Sequence, residues 1–494
     1  MEQSKLKAAR DYEAKYGAEI MPQERPVFHI TPTVGWLNDP NGFGMYKGEY
    51  HLFYQYHPYD INWGPMHWGH VKSSDLVKWE RLPAAMAPDE AYDAQGVFSG
   101  SAVQLPDGRH LLMYTGVQGA DNTPDCRQTQ CIAIGDGINY EKYEQNPVIT
   151  AAQLPDGCSR SDFRDPKIWF DQQEQRYYMA AGNRTSDGSG AVLLFTSIDG
   201  TAWEYVTMLD RSRNQYGRMW ECPDFFELDG RALILVSPQE MRAQGLEFHN
   251  GNDVICLLGS YDRGAHAFTR EAVLAVDYGL DFYAPQTMEL PDGRRVMIAW
   301  MQAWENSHFH PQGAKWAGMM TLPRELSIVD GQLIQNPVRE LSSYHEDPVV
   351  YSDVRLHENE RMQLPGVSGR ILDMTITVSK AQERMYGHFT IYLAENEEYR
   401  TCICYKPLKN TLCIDRTDSG FRYHIVSRRK AAVRDQGGSI KIRIILDRFS
   451  VELFVNDGEQ VLSSCLYTPQ EADGISFEAD ADVCMNVEKY GVSV

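Results

Sequence analysis

Three carboxylates in this chain share one position in a repeating pattern, and that is where chemistry is expected. A Gly-centred turn followed by a short apolar strand recurs at YKGEYHLFYQY (Gly48), PDGRHLLMYTG (Gly108), LDGRALILVS (Gly230) and PDGRRVMIAW (Gly293), with a weaker copy, QEQRYYMAAG, at Gln175. Nine or ten residues before these turns, at the start of the preceding strand, stand Asp39, Ser99, Asp165, Glu221 and Tyr283. Such residues are ordinary turn and cap formers when taken singly. Three acids at one repeat phase are different, because crowding carboxylates costs electrostatic energy unless the crowding is used. Two or three carboxylates around a neutral, hydroxyl-rich ligand suit glycosidic bond cleavage, in which one acid stays protonated and another stays ionised.

The elements that must position these residues follow from a second marker. SSDLVKW, GDGINYEKY, SIDGTAWEY and SYDRGAHAF place Asp75, Asp136, Asp199 and Asp262 at intervals of 61, 63 and 63 residues. A period of about 62 residues suits four strands of ordinary length with their turns. The segments are aromatic and β-branched and are bounded by Gly, Asp and Pro. Five such units predict an all-β fold, a five-bladed β-propeller, in which the first strand of each blade lines the channel. The marker stops near residue 340. Beyond it Leu372, Met374, Ile376 and Val378, then Ile440, Ile442 and Ile444, then Val451, Leu453 and Val455 alternate with polar residues, with a hairpin turn at Asn456-Asp457-Gly458. The expected organisation is an N-terminal helical segment over 1–24, the propeller over 25–340 and a β-sandwich over 341–494. The helix is expected to be amphipathic, with Leu6, Ala9, Tyr12 and Tyr16 on one face.

Composition narrows the partners. The 494 residues carry 47 Lys+Arg against 68 Asp+Glu, a formal charge of −21. That field repels phosphate backbones and anionic lipid, so neither nucleic acid nor a membrane is expected as a partner. The charged N-terminus lacks the apolar core of a signal peptide, which points to a cytoplasmic protein. Ten cysteines without a CxxC pair predict reduced, buried thiols. His67 and His70 have zinc-like spacing, but they lead into a strand and lack a third ligand. Asp162, Asp165 and Asp171 do not fit a calcium loop. No metal and no cofactor are expected. Among the aromatic residues Trp36, Phe53, Tyr54, Trp63, Trp68, Phe98 and Trp220, most are expected in blade cores. Trp36 and Trp63 are expected in loops near the mouth, where they would meet a sugar face.

At WLNDPNG (36–42), FSGS (98–101), RDP (164–166), WECPD (220–224) and DFYAPQ (281–286) the chain resembles glycoside hydrolase family 32, the family of invertases, sucrose-6-phosphate hydrolases and fructan hydrolases. FVNDG (454–458) resembles the signature of that family's C-terminal sandwich. The resemblance implies a retaining β-fructofuranosidase acting on sucrose and short fructo-oligosaccharides through a covalent fructosyl-enzyme, with sucrose-6-phosphate hydrolysis as the alternative. It implies Asp39 as nucleophile, Glu221 as general acid/base and Asp165 as transition-state stabiliser beside Arg164. Asn38, Gln55, Trp63 and Ser99 are implied as fructosyl-binding residues, with Trp36, Phe98, Arg164 and Tyr283 also expected to bind substrate and Tyr283 to orient Glu221. The main carboxyls would then stand about 5–5.5 Å apart. A fructosyltransferase, a non-catalytic sugar-binding propeller and an arabinan- or xylan-cleaving propeller remain as rivals. The expected partner is a small sugar; a homodimer braced by the sandwich is left open.

Overall fold

The computed structural model describes residues 4–494 apart from 121, 122, 124, 309, 312 and 421–424. Five antiparallel sheets, each with four strands taken in chain order, follow one another along the chain. Their inner strands are Gly35–Tyr46, Gly96–Gln104, Cys158–Asp171, Met219–Leu228 and Tyr283–Glu289, in blades I to V. Each inner strand packs against the next and the fifth returns to the first, which closes the ring of a five-bladed propeller. A two-residue strand, Trp316–Ala317, adds to the seam by pairing in parallel with Gly35 and Trp36.

The two sequence markers have separate physical causes. Gly48, Gly108, Gly230 and Gly293 all adopt a left-handed backbone (φ 74 to 85°), and a Cβ at any of them would meet nothing within 4 Å. Glycine is favoured there by conformation and not by crowding. Gln175 takes the same left-handed turn at φ 52°, which is why the weak copy still falls in register. The second marker is an Asx turn. Asp75 Oδ1 accepts from the backbone of Val77 and Lys78, Asp136 Oδ1 from Ile138 and Asn139, and Asp199 Oδ1 from Thr201 and Ala202. Asp262 Oδ1 accepts from Ala265.

The remaining strands form two six-stranded sheets packed face to face, from His345–Leu356 to Val483–Val492. Leu372, Met374, Ile376, Val378, Ile440, Ile442, Ile444, Val451, Leu453 and Val455 all enter the core between them, as their alternation requires. Asn456, Asp457 and Gly458 all have positive φ in the hairpin turn. Sandwich and propeller share apolar contacts, with Ile445, Phe454, Val461 and Val492 in the same buried cluster as Leu326 and Leu333, and a buried polar network lies among them. Arg324 of blade V is fully buried and donates to Glu452 Oε2 at 2.6 and 3.1 Å, to Asp277 Oδ2 at 3.0 Å and to Ser463 Oγ at 2.6 Å. His29, ahead of blade I, lies between Asp447 Oδ2 (2.9 Å) and Glu452 Oε1 (3.0 Å).

The apolar pattern of the N-terminal helix does not show the acid that it buries, and the expectation of buried thiols needs correction. The N-terminal helix, Lys5–Gly17, capped by Ser4, buries Ala9 and Glu13 and leaves Tyr12 and Tyr16 incompletely covered. Glu13 is drawn inward because its Oε1 accepts from the backbone of Ala84 at 2.8 Å, and burial pushes its carboxyl up to about 7. All ten cysteines are free, but Cys158, Cys402, Cys404, Cys413 and Cys484 are only half-buried. Cys402 and Cys404 alternate with the buried Thr401, Ile403 and Tyr405, so they face away from the core of the sandwich.

Candidate active site

Proline sets the local geometry of every inner strand but one. Proline follows Asp39 and Asp165 directly and follows Glu221 and Tyr283 after one residue, at Pro40, Pro166, Pro223 and Pro285, and Gly100 follows Ser99 in blade II. Proline has no N–H to give a ladder, so a strand carrying it must break register. Register shifts fall at this point in all five inner strands: Leu37/Pro40, Phe98/Gly100, Arg164/Lys167, Glu221/Asp224 and Tyr283/Gln286. Asp165, Cys222 and Ala284 have φ of 62, 47 and 53°, a strained state for residues with a side chain. Bulges re-aim side chains, and here they do so at one end of the channel.

The outcome is a single buried cluster. Asp39 Oδ2 accepts from Ser99 Oγ at 3.3 Å and faces the Cys222 thiol at 3.7 Å. Asp165 Oδ2 accepts from Cys222 N at 2.9 Å, with the same thiol at 3.6 Å. Glu221 Oε1 accepts from Arg164 Nε and Nη2, each at 3.0 Å, and Glu221 Oε2 accepts from Tyr283 Oη at 2.6 Å. Tyr283 also contacts the Ser237 carbonyl at 3.1 Å. Asp39 Oδ1 has no hydrogen-bond partner among the described residues.

The electrostatics follow from that packing. Burial first, then Glu221 and Asp165, push the Asp39 carboxyl up to about 7. Burial also raises Asp165, to about 6, with Arg164 pulling it down and Glu221 pushing it up. Burial and the Glu221 charge hold the Tyr283 phenol well above its ordinary value, so it remains a donor. Burial pulls Arg164 downward, but Glu221, Asp165 and Asp162 outweigh it and raise its pKa. Three acids that cannot all ionise cheaply, one with a free oxygen, can hold a proton and a nucleophile together.

Of the residues predicted from sequence, Asp39, Ser99, Arg164, Asp165, Glu221 and Tyr283 meet in this cluster. Asn38 accepts from Trp36 Nε1 at 2.7 Å, and Gln55 donates to the Val97 carbonyl at 3.1 Å. Trp63 lies in a loop, 47% exposed, edge-on to Phe98 with ring centroids 6.0 Å apart. Trp36 differs from expectation: it is on the inner strand of blade I and buried, stacked on Trp304 and edge-on to Trp300. Its place beside Gly35, which pairs with Trp316, draws it into the seam. His67 and His70 are buried too. His70 Nε2 is 2.9 Å from His51 Nδ1, and His67 Nδ1 is 2.9 Å from the Pro65 carbonyl.

Cys222 was not anticipated, although it stands directly after Glu221; in a flat strand the two side chains would point to opposite faces. Thr115 and Gln128 were missed as well. Thr115 Oγ1 accepts from Asp165 N at 2.9 Å, and Gln128 Oε1 accepts from Phe163 N at 2.9 Å and from Arg164 at 3.2 Å. Both lie on the second and third strands of blade II, at positions the first-strand pattern does not cover. No group of three or more His, Cys, Asp or Glu side chains among the described residues is arranged to hold a metal ion.

Family models match both domains of the chain. Residues 29–337 match the glycosyl hydrolases family 32 N-terminal domain, and residues 340–490 match the glycosyl hydrolases family 32 C-terminal domain. The chain belongs to glycosyl hydrolase family 32. A sucrose-6-phosphate hydrolase of Zymomonas mobilis is 37% identical to this family 32 chain over 465 residues, covering 91% of this chain and 88% of that protein. A raffinose invertase of Escherichia coli is 36% identical, covering 92% of each. Among solved structures, a family 32 β-fructofuranosidase of Bombyx mori superposes with a TM-score of 0.84 at 34% identity, covering 99% of this chain and 98% of that one. A mutant of that Bombyx mori enzyme was solved in complex with sucrose. Among the described residues of this family 32 member, no helix is long and apolar enough to cross a membrane.

Proposed function

We propose that this family 32 glycoside hydrolase is a retaining β-fructofuranosidase that releases terminal fructose from sucrose and short fructo-oligosaccharides. One observation carries the reading: Asp39 and Glu221 lie in one buried cluster, with an unengaged oxygen on Asp39 and two donors on Glu221. In this mechanism Asp39 Oδ1 attacks the anomeric carbon of the fructosyl unit while Glu221 gives its proton to the departing oxygen. Arg164 and Tyr283 then stabilise the Glu221 carboxylate left behind, which lowers the cost of the transfer. Asp165, fixed by Cys222 N, is placed to accept hydrogen bonds from ring hydroxyls as positive charge builds on the sugar. In the second half-reaction Glu221 takes a proton from water, which cleaves the fructosyl–Asp39 ester with net retention. Ser99 steadies the nucleophile, Asn38 and Gln55 grip the fructosyl unit, and the exposed Trp63, backed by Phe98, offers a face to the leaving sugar.

Sucrose-6-phosphate is the second reading, favoured by the sucrose-6-phosphate hydrolases among the relatives of this chain. Purified protein assayed on sucrose, sucrose-6-phosphate, 1-kestose, inulin and arabinan tests both readings. Fructose from sucrose and 1-kestose, released first as the β anomer, is the expected result. A kcat/KM for sucrose-6-phosphate tenfold above that for sucrose would transfer the assignment to the phosphorylated sugar. Silence toward every fructoside would overturn the function.

A further inference from the structure

The outer edge of blade I, the segment leading into it and the sandwich enclose a cleft of about 500 Å³ that shares no lining residue with the carboxylate cluster. Arg25, Arg81 and Arg448 line it, and no Asp or Glu side chain does. Arg25 is 8% exposed and held rigidly. Its Nη1 donates to Thr31 Oγ1 and to the Pro32 carbonyl, both at 2.7 Å, and its Nη2 donates to the Thr33 carbonyl at 2.5 Å. Arg81 Nη2 donates to the same Thr31 hydroxyl at 3.1 Å, which brings two guanidinium groups onto one oxygen. Arg448 Nη1 donates to the carbonyls of Pro22 and Arg25 at 2.9 and 2.8 Å.

Among the described residues none of these three arginines forms an ion pair, whereas the buried Arg164, Arg324 and Arg416 each meet a carboxylate. Glu24, the acid next in sequence to Arg25, is turned to Met21 N and toward Lys315. Val494 reaches the rim without pairing with them. Asp447 and Glu452 stand behind the wall, engaged by His29 and by the backbone of Val27 and Phe28. In a chain of net charge −21, that leaves three arginines with no carboxylate within ion-pair distance among the described residues. Burial and the nearby Arg81 charge weaken the hold of Arg25 on its proton, to about 10. An anion in the cleft relieves that repulsion.

We propose that this cleft binds the phosphate group of a small phosphorylated metabolite. Guanidinium forks match the oxygens of a phosphate, and a doubly charged group answers three cations better than a lone carboxylate does. The volume lies within the range of small-molecule sites and exceeds what inorganic phosphate alone would fill. Phe28 and Trp79 wall the remainder and suit the body of the metabolite. The ligand touches the lead-in segment, blade I and the sandwich at once, so its binding stabilises their docking. The site takes no part in bond cleavage.

The test is the unfolding midpoint titrated with inorganic phosphate, against sodium chloride at matched ionic strength. The expected result is a rise of about 2 °C or more at saturation, lost in Arg81→Gln and in Arg448→Gln while sucrose hydrolysis by both variants persists. No rise beyond the salt reference, or an equal rise in both variants, overturns the proposal. Equilibrium dialysis of labelled phosphate against the unaltered chain gives a readout that needs no variant. One phosphate per chain is expected, displaced by glucose-6-phosphate and unmoved by glucose or fructose. Displacement by fructose would place the anion in the catalytic pocket, and failure of glucose-6-phosphate to compete would exclude a phosphorylated metabolite; either outcome overturns the assignment.

Discussion

Tyr283 and Glu221 come from neighbouring blades and meet at 2.6 Å, phenol to carboxylate, on the side of Glu221 opposite Arg164. Each oxygen of Glu221 therefore has its own donor. In the proposed mechanism the charge left on Glu221 by proton transfer meets hydrogen bonds that are already formed.

Removing the phenolic hydroxyl tests that relationship. Tyr283→Phe should lower kcat by about 10- to 100-fold, the worth of a hydrogen bond to a charged group. The loss should be larger for substrates with poor leaving groups, which depend most on proton donation. Equal losses for sucrose and an activated aryl fructoside would show that Tyr283 acts on something other than Glu221.

The acid limb of the pH profile should belong to the cluster. In the proposed mechanism Asp39 attacks as the carboxylate, and its carboxyl is pushed up to about 7, with Asp165 at about 6. Hence kcat/KM should climb as pH rises through roughly 6 to 7. Asp165→Asn removes one negative neighbour of Asp39, so the limb of its residual activity should move to lower pH. A limb that stays in place would mean that the Asp165 charge does not reach Asp39.

The same crowding should cost stability. Asp39 is raised above its unfolded value of 3.8, so the folded state holds its proton more tightly than the unfolded chain does. The penalty is absent below about pH 4 and fully present above about pH 7. Asp39→Asn should therefore stabilise the fold at pH 8, by on the order of 2–4 kcal/mol, and confer almost nothing at pH 4. Denaturant melts of the two proteins at both pH values decide it; an equal effect at each would remove the electrostatic explanation.

His29 should give the opposite signature. Burial pulls its imidazole down, but hydrogen bonds to Asp447 and Glu452 prevail and raise it to about 9. Its contribution is complete below about pH 6.5 and is lost as pH rises through 9. The wild-type protein should shed about 3 kcal/mol over that window relative to His29→Gln. Parallel pH–stability curves for the two would refute the charged His29.

Much of this was legible in the chain because its causes are local. The blade turns and Asx turns repeat since each is set by a backbone angle or by hydrogen bonds two or three residues away, and even Gln175 keeps its phase. The acids were legible for the same reason, being tied to strand starts. Cys222 was not, because the bulge that swings it between Asp39 and Asp165 is a failure of pairing, and pairing needs a partner strand. Trp36 reads as a loop residue until the Trp316–Ala317 strand arrives from the far end of the ring. Arg324, Glu452 and His29 were illegible altogether: they lie more than a hundred residues apart, and each alone looks like a surface charge.

That last network changes how the ring is held shut. Within the ring, among the described residues, the first blade is tied to the last by strand pairing only through Trp316 and Ala317, which join the inner strand of blade I. Glu452 ties them from outside, taking His29 ahead of blade I with one oxygen and Arg324 of blade V with the other. The sandwich is thus the buckle of a belt, and the belt is threaded before the buckle is made. During synthesis all five blades emerge while this clasp is still unwritten, and a chain ended after Pro337 should hold its circle by the Trp316–Ala317 pairing and the packing of blade V on blade I alone.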